Sequence, residues 1–199
     1  MQLTVRGKPY KVRLLGQDDL PMLATFCSEC ELLGLENNKD FTSIKLDKMQ
    51  MPHGQFFVAV DDDKIFSLAG VHHLPEIGPH AWRCLFRGAQ LPKYTPQWSM
   101  DIFKSGIHFS YFLYMQIAFI QAYDTNAEFY ISTNVDNPSA GSSSRLDKVM
   151  MPRLAKQGYW HLDKANITLF NTVQNLWKVN VPQYMASREL WLADESYTD

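Results

Sequence analysis

The sequence predicts an α/β fold in which strands and helices alternate along the chain. Three observations carry that prediction. Two apolar runs flank an acidic turn and read as a hairpin. A long stretch that is apolar on nearly every side reads as a buried helix. A later helix ends on a glycine and runs into further strand-forming residues. The chain has 199 residues, 46% of them hydrophobic and 13% aromatic, enough for a sizeable core without disulfides or structural metal. That length predicts one compact domain, with room for a small appendage.

The elements follow in order. From Tyr10 to Leu14 apolar and basic residues alternate within a β-forming segment, Leu3 to Leu15. Asp19-Leu20-Pro21 reads as a helix start, with the Asp as cap and the Pro in the first turn; the helix would run to about Leu33. Phe41 to Met51 is a second helix, closed by Pro52. Gln55 to Val60 and Ile65 to His73 form the hairpin about Asp61–Lys64. Ala81 to Leu91 is a strand, followed by a loop around Pro92 and Pro96. Phe109 to Tyr123 is the buried helix, too short to span a bilayer. Glu128 to Asn134 is a strand, and Arg145 to Gln157 a helix stopped by Gly158. Tyr159 to Leu162 and Ile167 to Phe170 are short strands. From Thr172 onward the chain carries Trp177, Tyr184 and Trp191, so a packed tail is expected over 172–199, behind an α/β domain over 1–171.

Charge and cysteine content narrow the function classes. Lys and Arg total 19 and Asp and Glu 21, for a formal net charge of −2, which speaks against wholesale electrostatic binding of nucleic acid. No apolar run reaches the roughly 20 residues of a transmembrane helix, and the first residues show no signal-peptide core. Three cysteines are too few for a disulfide scaffold, so a reduced, cytoplasmic setting is expected. Cys27 and Cys30 form a Cys-x-x-Cys, but it falls mid-helix and lacks the strand context of a redox motif.

Several groups are candidates for a site. Lys93, Lys104, Ser105 and Gly106 precede the buried helix and read either as a phosphate cradle or as a solvated loop. Arg83 and Arg87 share one face of a strand and can hold a phosphate or an acidic acceptor, or simply face water. His72, His73, Glu76 and His80 cluster after the hairpin; their spacing matches no common zinc pattern, so no metal is expected. Ser139 to Arg145 is an anion-binding run or an N-cap with its entry loop. The aromatics of Tyr111 to Phe119 read as core.

Near the C-terminus, Phe129–Asn134 is a strand, Asn137-Pro138-Ser139-Ala140 follows it, and Lys156-Gln157-Gly158-Tyr159 closes the next helix. This arrangement, with the element order over roughly 3–170, resembles the GNAT family of N-acetyltransferases, which use acyl-coenzyme A. Family members often carry Asn-x-x-Ala after such a strand and Lys-x-Gly-Phe/Tyr at the helix end. The resemblance implies a mixed, mostly antiparallel central sheet of six to seven strands flanked by helices. Two features depart from the family pattern. The stretch from Leu91 to His108 has one glycine, Gly106, in place of the glycine-rich pyrophosphate loop. Leu154 stands where the family often has a Tyr that protonates the leaving thiolate.

The resemblance implies an acyltransferase that moves an acyl group from acetyl-CoA or another acyl-CoA to an amine, on a small molecule or a peptide. It implies a splay between the Ala81–Leu91 and Glu128–Asn134 strands, with the pantetheine arm along Phe86, Gly88 and Gln90. The phosphates would lie at Lys93, Lys104, Ser105 and Gly106, and Asn134 and Asn137 would meet the cofactor arm. A general base would come from Glu76 or His73. The alternative is a non-catalytic ligand- or protein-binding module on the same scaffold, with the aromatic tail as a candidate homodimer contact.

Overall fold

The structure is a computed structural model that describes residues 2–5, 8–32, 50–61, 64–88, 107–135, 147–148 and 151–193. The strands are β1 (Gln2–Val5), β2 (Lys8–Leu14), β3 (Gly54–Asp61), β4 (Lys64–His73), β5 (Ala81–Gly88), β6 (Glu128–Asn134), β7 (Trp160–Leu169) and β8 (Thr172–Val179). The α-helices among the described residues are α1 (Leu20–Leu32), α2 (Ile107–Tyr123), α3 (Met151–Lys156) and α4 (Val181–Ala193). In hydrogen-bonding order the sheet runs β1-β2-β3-β4-β5-β6-β8-β7. It is mixed and mostly antiparallel: β5 and β6 run parallel, while β1–β2, β2–β3, β3–β4, β6–β8 and β7–β8 are antiparallel. The fold class is the one expected. The count of eight differs from the expectation in three places: the segment from Leu3 to Leu15 is two strands paired with each other, with Val5 opposite Lys8, the two short strands expected between Tyr159 and Phe170 are one, and the segment from Thr172 adds another.

The chain divides into two compact units. The first comprises Met1–His73, Cys84–Ala118 and Leu192–Asp199. Its hairpin forms where expected, but β3 is one residue longer at each end and β4 starts one residue earlier, so that Asp61 stands opposite Lys64 across the turn. Phe56, Val58 and Val60 alternate along one face of β3 and meet Leu23 and Phe26, one helical turn apart on α1. Ile65 and Leu68 complete that cluster. Phe57 and Ala59, on the other face of β3, are also buried, so this strand is covered on both sides. That is why its sequence reads as an unbroken apolar run.

Asp19 stands immediately before α1, but as the last residue of a 3-10 turn, Gln17–Asp19, and its carboxylate is bonded backward to the Gly16 cap of that turn instead of serving as the cap of α1 expected from the sequence. It accepts from Gly16 N–H at 2.7 Å and is paired with the Arg13 guanidinium, with Oδ1 2.6 Å from Arg13 Nη2. The Arg13 hydrogen bond pulls the Asp19 carboxyl below the usual carboxylate range, against the opposing effect of burial and with help from the Gly16 N–H. A lowered folded-state pKa stabilises the fold above the ordinary carboxylate value, and that contribution is lost as pH falls through the lowered one. Asp19→Asn is therefore expected to lower the melting temperature at pH 7. The gap to the unsubstituted protein should close as pH falls below about 4. Melting curves across pH 2–7 check this; a gap that stays constant across that range would remove the ion pair from the account.

The second unit comprises Leu74–Arg83 and Phe119–Trp191. Its parallel pair aligns Ala81 with Glu128, Trp82 with Phe129 and Arg83 with Tyr130. The two short strands expected at Tyr159–Leu162 and Ile167–Phe170 are one strand, β7. The residues between them form irregularities in its pairing with β8, at Leu162/Lys164 and Lys164/Ile167, and Asn166 takes φ of 53°. Extra residues on one strand of an antiparallel pair break the two-residue alternation, which hid the strand from a pattern reading. The segment from Thr172, expected as a packed tail, supplies β8, which is hydrogen-bonded to both β6 and β7. Gly158 ends α3 with φ of 79° and its N–H on Ala155 O at 2.9 Å, the glycine stop the sequence predicts. A Cβ there would stand 2.7 Å from the Gln183 side chain.

The second helix expected at Phe41 to Met51 lies outside the described residues through position 49. Within Arg145 to Gln157 the described parts are a π-type turn at 147–148 and α3.

Candidate functional site

The second unit gathers its polar side chains at the two ends of β6. At the exit of β6, Thr133 lies opposite Asn175, and Ile131 opposite Trp177, on β8. Side chains alternate across a strand, so Thr133, Asn175 and Trp177 share a face. The Asp147 carboxylate receives all three. Thr133 Oγ1–H donates to its Oδ1, Asn175 Nδ2 donates at 3.0 Å, and Trp177 Nε1–H bonds Thr133 Oγ1 at 3.1 Å and Asp147 Oδ1 at 3.4 Å. Asn175 Oδ1 in turn accepts the Asn166 N–H at 3.0 Å. Thr133 and Trp177 are buried, so each donor needs this acceptor. The network ties position 147 to β6 at Thr133.

At the entry of β6 a second network forms. His80 Nδ1 stands 3.0 Å from Asp124 Oδ2, Trp82 Nε1–H donates to the same oxygen at 3.3 Å, and Asn126 N–H donates to Oδ1 at 3.1 Å. Burial pushes the Asp124 carboxyl up, but these hydrogen bonds outweigh it and hold it below its ordinary value. Beside it, Lys178 Nζ and the Tyr130 hydroxyl donate to Glu128, at 2.7 and 2.8 Å. The Lys178 bond, joined by that of Tyr130, lowers the Glu128 carboxyl; burial and Glu128 together raise the Tyr130 phenol. Tyr130 is thus a neutral donor throughout the physiological range.

The candidate site residues fall as follows. Glu76 is exposed on the turn that follows Leu74, whose O accepts the N–H groups of Ile77 and Gly78; it belongs to the second unit. His73 ends β4 in the first unit, half-buried, with its backbone N–H on His53 O at 2.9 Å and its own O 3.1 Å from His72 Nδ1. Phe86 and Gly88 lie on β5. Asn134 is the last residue of β6, half-buried, and the following Val135 N–H bonds Val173 O. Gln90, Lys93, Lys104, Ser105, Gly106 and Asn137 lie outside the described residues.

Among the described residues, no group of three or more His, Cys, Asp or Glu side chains is placed to hold a metal ion. Cys84 is a buried free thiol whose pKa burial raises, which suits a packing role and not a nucleophile. Arg83 is half-buried, with its guanidinium 4.4 Å from the centre of the Phe170 ring, so it does not stand on an open sheet face. Sequence reasoning passed over Thr133, Asp147 and Asn175, and took Trp177 for tail packing. Their one visible signal is polar residues at inward positions of apolar strands.

Neither a family model nor a curated protein sequence matches the chain. Solved structures do. A ribosomal-protein alanine acetyltransferase from Vibrio fischeri superposes with a TM-score of 0.54 at 13% identity, over 90% of this chain and 97% of that one. A spermidine N-acetyltransferase chimera from Vibrio cholerae gives 0.51 at 12% identity, over 89% and 98%. An aminoglycoside 6'-N-acetyltransferase complexed with coenzyme A gives 0.51 at 10% identity, over 84% and 95%. The agreement spans nearly the whole of each partner. The chain therefore has the fold of the GNAT-type acetyltransferases.

Proposed function

We propose that this protein is a divergent GNAT-type acyltransferase that moves an acyl group from acetyl-CoA or another acyl-CoA to an amine. The observation that carries the reading is the superposition over 90% of the chain on an acetyltransferase. It is joined by the sequence match at Asn137-Pro138-Ser139-Ala140 and at the Gly158 helix stop. Fold likeness alone is an analogy, so the claim stands on its test. The chemistry needs an amine placed against a thioester and a base for its proton. Glu76, a carboxylate exposed on its turn, suits that base; His73, at the end of β4, is the second candidate. Asn134, half-buried at the exit of β6, suits a polar contact to the cofactor arm; Phe86, Gly88 and Gln90 are proposed for the same arm. Lys93, Lys104, Ser105, Gly106 and Asn137 are proposed for its phosphates and the remainder of the arm.

Proteins of this fold accept amines on small molecules and on proteins, as the names of the superposed enzymes state. No described helix is long and apolar enough to cross a membrane. A cytoplasmic setting and pairing with a second copy belong to the proposal.

Leu154 favours a second reading. It is a half-buried aliphatic side chain on α3 at the position where the family often has its thiolate-protonating Tyr. On that reading the scaffold binds a ligand without turning it over. Thermal melting with acetyl-CoA, coenzyme A and ATP separates the cases. At about 100 times its dissociation constant a ligand adds roughly 2.7 kcal/mol, or about 5–10 °C in a domain of this size. Both CoA species should shift the melting point and ATP should not. A shift with no thiol release across an amine panel selects the binding module. No shift at millimolar CoA removes the acyltransferase reading.

A further inference from the structure

β7 is the last strand of the sheet, paired with β8 on one side and with no strand on its other side among the described residues. Every residue on it from His161 to Asn166 is exposed. A strand in that position leaves a row of backbone N–H and C=O groups open to another chain.

The hydrogen bonds of β8 show which groups stand at that edge. The Val135 N–H bonds Val173 O at 3.0 Å, and the N–H of Asn180, just past β8, bonds Tyr159 O at 2.8 Å. Backbone groups alternate in direction along a strand, so odd-numbered residues of β8 turn theirs to β6 and even-numbered ones to β7. His161, Lys164 and Ile167 lie opposite Lys178, Leu176 and Gln174, and therefore face β8. Leu162 lies opposite Trp177, which is turned to β6, so the Leu162 N–H and C=O point outward. Between Lys164 and Ile167, Asn166 turns its N–H to Asn175 Oδ1 at 3.0 Å, which leaves Ala165 to point outward.

The irregularities of β7 thus set two outward residues, Leu162 and Ala165, on either side of Asp163 and Lys164. A two-fold axis between Asp163 and Lys164 places Leu162 of one copy opposite Ala165 of another, outward group to outward group. The same axis places each Asp163 opposite the second copy's Lys164. Neither charge has an ion-pair partner among the described residues. Bulges and charges commonly guard an edge strand against pairing. Here the axis matches irregularity to irregularity, and the charges that meet are opposite in sign. Leu162, a large apolar side chain 45% exposed, gains cover in the same contact.

We infer that the β7 edge is a docking surface for a second copy of this chain, paired antiparallel about the point between Asp163 and Lys164. Leu162 and Ala165 exchange backbone hydrogen bonds across the axis, and two Asp163–Lys164 pairs fix the register. The same patch serves on both copies, so the contact closes as a dimer. The inference assigns a surface to the pairing proposed above and does not depend on acyl transfer.

The test is sedimentation equilibrium of the full chain over a concentration series, with amide exchange read residue by residue by NMR. A reversible dimer is expected, in which exchange at Leu162 and Ala165 slows as concentration rises. Lys164→Asp sets like charges opposite each other twice and should weaken the dimer about tenfold or more. Adding Asp163→Lys restores the opposite signs and should recover most of the affinity. Both sites are exposed, so the dilute variants should melt within about 2 °C of the unsubstituted protein. Exchange in the unsubstituted protein decides the matter if a variant fails to fold. A chain that stays monomeric through the high micromolar range overturns the surface. So does a dimer left as tight by Lys164→Asp, or one whose Leu162 and Ala165 exchange ignores concentration. Coenzyme A binding by a monomeric chain retires the β7 surface alone, and a dimer that binds no coenzyme A retires the acyltransferase reading alone.

Discussion

Asp147→Ala is expected to lower the melting temperature by about 5–10 °C, from a loss of about 2–4 kcal/mol. The carboxylate is the common acceptor for Thr133, Asn175 and Trp177. Its removal leaves the Thr133 hydroxyl without its acceptor in a buried position and Asn175 with one bond fewer. It also unties position 147 from β6. Asp147→Asn keeps one acceptor oxygen for Thr133 but turns an N–H toward Asn175 Nδ2, so it should recover about half of the loss. Thr133→Val in the Asp147→Ala background should add less than it costs alone, because the two share one bond. Melting curves of the three variants decide the matter. Strict additivity, or a shift below about 1 °C for Asp147→Ala, would show that the network contributes little.

Phe129→Ala is expected to cost more, about 3–5 kcal/mol, with a fall in melting temperature of about 10 °C or more. Phe129 is fully buried on β6 and aligned with Trp82 across the parallel pair. Truncation removes the transfer energy of the ring and leaves a cavity that the strands flanking it cannot collapse into. Phe129→Leu fills most of the volume and should cost less than about 1.5 kcal/mol. Equilibrium denaturation of both variants checks the pair. Similar losses for Ala and Leu would mean that shape at this position, and not volume, is what the core requires.

Local patterns were legible where they repeat a simple rule. Glu128–Asn134 has the bounds expected of it because a short apolar run, Phe129–Ile131, stands between polar residues and reads as a buried strand. The hairpin of β3 and β4 announced itself through its acidic turn, and Gly158 through the need for a left-handed residue at a helix end. Where irregularities interrupt the period, as at Leu162–Ile167, one strand read as two. β8, which pairs with β7 across a tight turn and with the distant β6, read as a tail.

The candidate site was less legible for the same reason. Glu76 and His73 were chosen for their chemistry and for their place after the hairpin, and the sequence contains nothing about which way either points. The Asp147 network joins residues 14 to 44 positions apart, and no single-strand pattern encodes such a meeting. Arg83 was singled out for its type, but its place beside Tyr130 and under Phe170 follows from register across β5 and β6 and from the β7–β8 turn.

The sequence by itself determined the β3–β4 hairpin, the helix α2, the strand β6, the glycine stop after α3 and the likeness to an acetyltransferase family. Each of these depends on residues close together in the chain, where sterics and burial act over one or two turns. Only the tertiary structure decided that β8 joins β6 to β7, that Asp147 gathers three donors, and that an aromatic ring lies on Arg83. These are contacts between residues far apart in sequence, and their energies exist only once the chain has folded to bring them within a few ångströms.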